Sequence, residues 1–133
     1  MRAWFEAEVS RIKAILGFDV PIIIADHDEY KGHEQALGIA HADRETGEVI
    51  AITIDEFFVE ESFAVAHKDE HRLAWVVEFD NFEEVICHEL AHLKYWHHGR
   101  WHNRETARLL EKLRSAAPAP APASEEVQAV PRV

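Results

Sequence analysis

Residues 88–92 read His-Glu-Leu-Ala-His, and this is where the chain can do chemistry. Positions i and i+4 of a helix lie about 40° apart around its axis, so the imidazoles of His88 and His92 project together. Two such rings can share one ion at about 2.0–2.1 Å from each nitrogen. Glu89, about 100° further round, can take a proton from a water on that ion without itself becoming a ligand. A catalytic zinc also needs a third protein ligand and an open fourth position. Three downstream residues qualify. His98 stands ten positions after His88, His102 stands at the expected start of the next helix, and Glu105 would complete a two-histidine, one-carboxylate set. Of the 10 histidines, five (His88, His92, His97, His98, His102) fall within residues 88–102, a local concentration that favours metal binding over scattered surface use. His97, and whichever of His98 and His102 is not a ligand, are expected to be supporting or surface groups. With a fourth protein ligand and no water, the same cluster would instead make a zinc-stabilised binding or regulatory module.

Other reactive residues have simpler expected roles. Tyr95 would share the histidines' face of a continuing helix, where it could donate to an oxyanion but is expected to pack. Cys87 lacks a CxxC partner or a neighbouring base and reads as a small core thiol. Asp26, His27, Asp28 and Glu29 lack helical spacing and read as a solvated loop. Trp96 and Trp101 flank the candidate ligands and could wall the site or close the core. Neither GxSxG, a P-loop nor GxGxxG occurs, so serine-hydrolase and nucleotide-binding chemistry have no support.

The elements that would hold these residues follow from periodicity. Phe5, Val9, Ile12 and Leu16 predict an amphipathic helix over 4–16, with Gly17 to stop it. The run Val20 to Ala25 predicts a strand covered on both faces. After a loop from Asp26 to Gln35, a hairpin is expected: Leu37 to His41, a turn over 43–47, then Val49 to Ile54 with Ile50, Ile52 and Ile54 on one face. Residues 56–79 fit helix and strand alike, although Arg72 to Phe79 looks more strand-like and could pair with Ser62 to Ala66 across a turn at 67–71. Asp80, with Glu83 three residues later, offers a capping box for a helix over 82–96. A last helix is expected from Asn103 to Ser115, with Thr106, Leu110 and Leu113 on its apolar stripe. Beyond it, residues 116–133 hold four of the five prolines in an Ala-Pro alternation that reads as a disordered tail.

With 133 residues, 47% of them hydrophobic, one folded unit is expected. The 14 basic against 25 acidic residues leave a net charge of −11, which opposes autonomous nucleic-acid binding, so any DNA association would go through a partner. A single cysteine excludes an internal disulfide framework and a zinc ribbon. With no apolar stretch long enough to span a bilayer, the expectation is a soluble, cytoplasmic protein.

The run His88-Glu89-Leu90-Ala91-His92-Leu93-Lys94-Tyr95 resembles the active-site helix of the SprT-like and WLM-type zinc metallopeptidases. Their motif continues to a third histidine, a small or polar residue, two variable positions, an aromatic and a leucine-rich helix. Residues 102–111 fit that continuation, with Leu109 and Leu110 in register and Thr106 standing where the aromatic is expected. His98-Gly99-Arg100-Trp101 matches its first part and then loses the leucine register, so the resemblance favours His102, with His98 as alternative third ligand. It covers about Gly38 to Leu113 and is carried by 84–113. It implies an α+β, zincin-like minimal metallopeptidase domain over 1–115, with an N-terminal helix, a small mixed β-sheet, the HExxH helix and a C-terminal helix. It also implies one catalytic Zn2+ on His88, His92 and His102, and hydrolysis of peptide bonds in a protein or peptide substrate with Glu89 as general base on zinc-bound water. SprT-like proteins often add a cysteine-rich ribbon or other DNA-binding part, and this chain has neither. A similarity to ImmA/IrrE-like peptidases would make Glu105 the third ligand.

Overall fold

Helix α1, Arg2–Leu16, turns Phe5, Val9, Ile12 and Leu16 inward and ends where Gly17 adopts φ +80°, which glycine enters at little cost. The computed structural model to which these elements belong describes residues 1–67 and 81–116. Strands β1 (Ile22–Ala25), β2 (Gly38–Ala42) and β3 (Val49–Asp55) form one mixed sheet in the order β1-β3-β2. β1 runs parallel to β3 and β2 antiparallel to it. Helices α2 (Glu56–Ala66), α3 (Phe82–Ala91) and α4 (Arg100–Ala116) complete a mixed α+β fold. No helix among the described residues is long and apolar enough to cross a membrane.

The hairpin turn is built by Asp43, whose Oδ1 accepts from the amides of Glu45 at 2.7 Å and Thr46 at 3.0 Å, with Gly47 at φ +77° closing the loop. Pairing sets Ile22, Ile52 and Ala40 side by side, and likewise Ile24, Ile54 and Gly38. Ile22, Ile52 and Ile54 pack into a core shared with α1, α2, α3 and α4, where Phe82 meets Trp4, Phe5 and Phe58 with ring centroids 5.0, 6.0 and 6.4 Å apart. Truncating a ring so enclosed costs about 3–5 kcal/mol. Arg11 fastens α1 to α3 from outside, reaching Glu83 at 2.7 Å and Glu8 at 2.9 Å.

Several expectations need correction. β1 is not covered on both faces: Ile23, which shares the face of Thr53, is 52% exposed. Ile50 does not share the buried face with Ile52 and Ile54; it lies exposed near the irregularity in pairing at His41/Ala42. Residues 56–66 are helical, which excludes Ser62 to Ala66 as a strand, while Arg72 to Phe79 lies outside the described residues. The cap of α3 is Asn81, whose Oδ1 accepts from the amides of Glu83 at 2.9 Å and Glu84 at 3.2 Å; Asp80 lies outside the described residues. α3 ends at Ala91 instead of reaching Trp96, and α4 begins three residues earlier than expected. Its buried stripe is His102, Glu105, Leu109 and Leu113, one position round from the stripe expected through Thr106 and Leu110. The proposed tail lies, from 117 onward, outside the described residues.

Candidate metal centre

α3 enters the core with Val85, Ile86, Cys87, Leu90 and Ala91 buried and carries His88 on its remaining side. Its last turn tightens, with the His92 amide donating to the Glu89 carbonyl at 3.1 Å, and the chain turns back through 93–99 into α4. This reversal delivers His98 from the connection and His102 from the first turns of α4 to the two histidines of α3. One nitrogen each of His88, His92, His98 and His102 lies within 4.8 Å of the others. Ring centroids span 4.2 Å, between His92 and His102, to 5.2 Å.

Hydrogen bonds to main-chain carbonyls orient two of these rings. His102 Nε2 donates to the carbonyl of His88 at 2.9 Å, and His92 Nδ1 to that of Tyr95 at 3.2 Å. In a neutral imidazole the other nitrogen then carries a lone pair: Nδ1 of His102 and Nε2 of His92. That outer hydrogen bond is how metal-binding histidines are normally held. His102 is fully buried, and its Nδ1 has no hydrogen-bond partner among the described residues. A buried orphan of this kind costs about 1–3 kcal/mol, a cost that an ion accepting the lone pair would remove.

The electrostatics suit a cation held by neutral rings. Burial, then the neighbouring His102, His92 and His98, pushes the His88 imidazole down to about 4. His92 is lowered too, by burial and then His102, against the opposing bond to Tyr95. An all-imidazole set of four nitrogens is a donor group for zinc and its divalent neighbours.

Glu89 is buried, and burial alone pushes its carboxyl up to about 7. It lies against Gly38 of β2, where a Cβ would stand 2.8 Å from Glu89 Cγ and 2.9 Å from Oε2, so the strand can approach only because residue 38 has no side chain. Two clefts of about 480 and 400 Å³ meet at His88, Glu89 and Gly38, the first running toward Asn103 and Leu110, the second toward His33 and Trp96. No protein family, curated protein or solved structure compared with this chain matches it.

Glu105 stands outside the group: Arg108 Nε and Nη2 donate to its two oxygens at 3.0 and 2.7 Å, and this pairing lowers its carboxyl. His97 is exposed on the rim of the second cleft. Tyr95 follows the end of α3, so it does not share a helix face with His88; its carbonyl accepts from His92 Nδ1. Trp96 walls the site, its ring 5.6 Å from that of His92, while Trp101 is 56% exposed and closes no core. Cys87 is fully buried with its thiol pushed up to about 12, mainly by burial.

The acidic loop contains one surprise. Asp26, Asp28 and Glu29 are exposed, but His27 is fully buried. Its Nδ1 donates to the Ala36 carbonyl at 2.7 Å, and its Nε2 meets Thr53 Oγ1 at 2.9 Å, with His41 Nε2 on the same hydroxyl at 2.9 Å. This chain ties the segment before β2 to the sheet and so steadies the cleft wall at Ala36 and Gly38. The mixed polarity of 26–29 hid His27; the one available signal was Thr53, a hydroxyl alternating with Ile52 and Ile54 on the other face of β3, where it is buried and needs a polar partner.

Proposed function

We propose that the chain is a zinc-dependent peptidase of the SprT-like, WLM-type zincin kind, with His88, His92 and His102 as ligands and Glu89 as general base. The observation that carries this reading is the meeting of a four-histidine cluster and a buried carboxylate at one open cleft. A purely structural metal site has no use for the carboxylate or for the cleft.

Zinc, when bound, would supply Lewis acidity toward a scissile carbonyl and lower the pKa of water. The chain supplies the rest. Glu89, raised toward neutrality, takes the proton of the attacking water and returns it to the leaving amine. β2 is an edge strand, pairing only with β3 among the described residues, so an extended peptide can add beside it and lie across Gly38 toward Glu89. Main-chain bonding of this kind gives affinity with little sequence selectivity. Zinc is proposed because it is commonly held by imidazole donors in four-coordinate sites.

The four-histidine group favours one competing reading, a closed and inert metal site. Casein hydrolysis by the zinc-loaded protein separates the two. We expect cleavage that falls by about 10²–10⁴-fold in Glu89→Gln with zinc retained; a Glu89→Gln protein that cleaved casein at the parental rate would overturn the assignment.

A further inference from the structure

The four histidines are not held alike. His88 projects from a helix interior, His92 is fixed through Tyr95, and His102 is buried and fixed through His88. His98 is exposed on the short connection between α3 and α4, next to Gly99 at φ +154°. Among the described residues its ring makes one hydrogen-bond-range contact, Nε2 to His88 Nε2 at 3.2 Å. Two bare imidazole nitrogens so close either share a proton or share an ion. Two metal–nitrogen bonds of 2.0–2.1 Å at a tetrahedral angle place their nitrogens about 3.4 Å apart, so the observed separation is that of neighbouring ligands on one ion.

We infer that His98 is a displaceable fourth donor that closes the metal site of the resting protein and must swing out before a substrate can reach the ion. This rests on the peptidase reading above, and it reconciles two features of the site that otherwise conflict. Four protein donors saturate a tetrahedral ion, yet the cleft and Glu89 serve only an open one. Of the four, the ligand to leave is the one on an exposed connection without a second hydrogen bond. No covalent bond is made or broken in the chain: one imidazole leaves the ion and one substrate or solvent oxygen takes its place. Trp96 and His97, beside it on the cleft rim, would be carried along, so a peptide filling the second cleft could itself drive the exchange.

The test uses the zinc-loaded full chain and His98→Ala, a substitution at an exposed site that should leave the fold intact. X-ray absorption should count four imidazoles on zinc in the parent and three in His98→Ala. Acetohydroxamate, a small chelating probe of an open position, should bind the variant at least tenfold tighter, because the competent state is no longer a minor population. Casein hydrolysis should rise in the variant. Equal imidazole counts with equal probe affinity would overturn the inference. So would failure of His98→Ala to take up zinc, which would make His98 an obligatory third ligand. Tighter probe binding with no hydrolysis by either protein would leave the displaceable ligand standing and remove the peptidase reading.

Discussion

The Nε2–H of His102 donates to the main-chain carbonyl of His88 across 2.9 Å, so the third candidate ligand is fastened to the residue that carries the first. The carbonyl is one of the last four of α3, which have no partners within the helix. One side chain thus caps α3, joins it to α4 and aims its other nitrogen at the cluster.

His102→Ala should therefore lose two things at once. Zinc affinity, read by competition with a chromogenic chelator, should fall by about 100-fold or more, whereas in the metal-free protein the orphaned carbonyl and the emptied space are partly offset by removal of the unpartnered Nδ1, so stability should fall by no more than about 1–3 kcal/mol. Glu105→Ala should leave zinc affinity within a fewfold of the parent, since its carboxylate is spent on Arg108. The opposite ranking of the two variants would install Glu105 as the third ligand.

Gly38→Ala tests the strand behind the base. The added methyl would meet Glu89 Cγ at 2.8 Å, so either the carboxylate turns aside or β2 retreats. Overpacking of this kind costs about 1–3 kcal/mol, visible as a lower Tm, while zinc stoichiometry should stay the same. Casein hydrolysis should drop more than tenfold; an unchanged rate would detach Glu89 and β2 from the chemistry.

The metal-free protein should respond to acid in a way that identifies Glu89. His88 at about 4, and His92 and His41, lie below the ordinary 6.5, so on acidification the unfolded chain binds those protons first and stability falls with pH. Glu89, raised to about 7 from an ordinary 4.5, acts with the opposite sign, binding its proton first in the folded state. Near pH 5.5 His88 and Glu89 almost cancel, leaving His92 and His41 to set a shallow decline. In Glu89→Gln the compensation disappears, and the decline between pH 7 and 4.5 should steepen by up to about 1.4 kcal/mol per pH unit. Urea unfolding in EDTA at several pH values reads this directly; identical slopes would mean that the carboxylate is not buried as described.

How much of this was legible in the sequence depended on whether the signal was local. The His88–His92 pair, the α1 stripe of Phe5, Val9, Ile12 and Leu16, and the hairpin around Asp43 and Gly47 each follow from spacing within one element, and the structure has them there. The end of α3 did not follow, because the residues after Ala91 are ordinary helix formers and the break serves to return the chain toward α4. That return is what lets His98 and His102 both reach the cluster, where spacing alone had made them alternatives. Gly38 and His27 were illegible for a related reason: the close approach of Glu89 to one and the burial of the other exist only once β2, β3 and α3 have been brought together.

Titration of Zn2+ into chelator-stripped protein, followed by calorimetry alongside the His88→Ala/His92→Ala double variant, goes to the root of the account. One submicromolar site per chain in the parent, absent from the double variant, is the expected result. No saturable uptake by the parent, or the same site surviving in the variant, would contradict it.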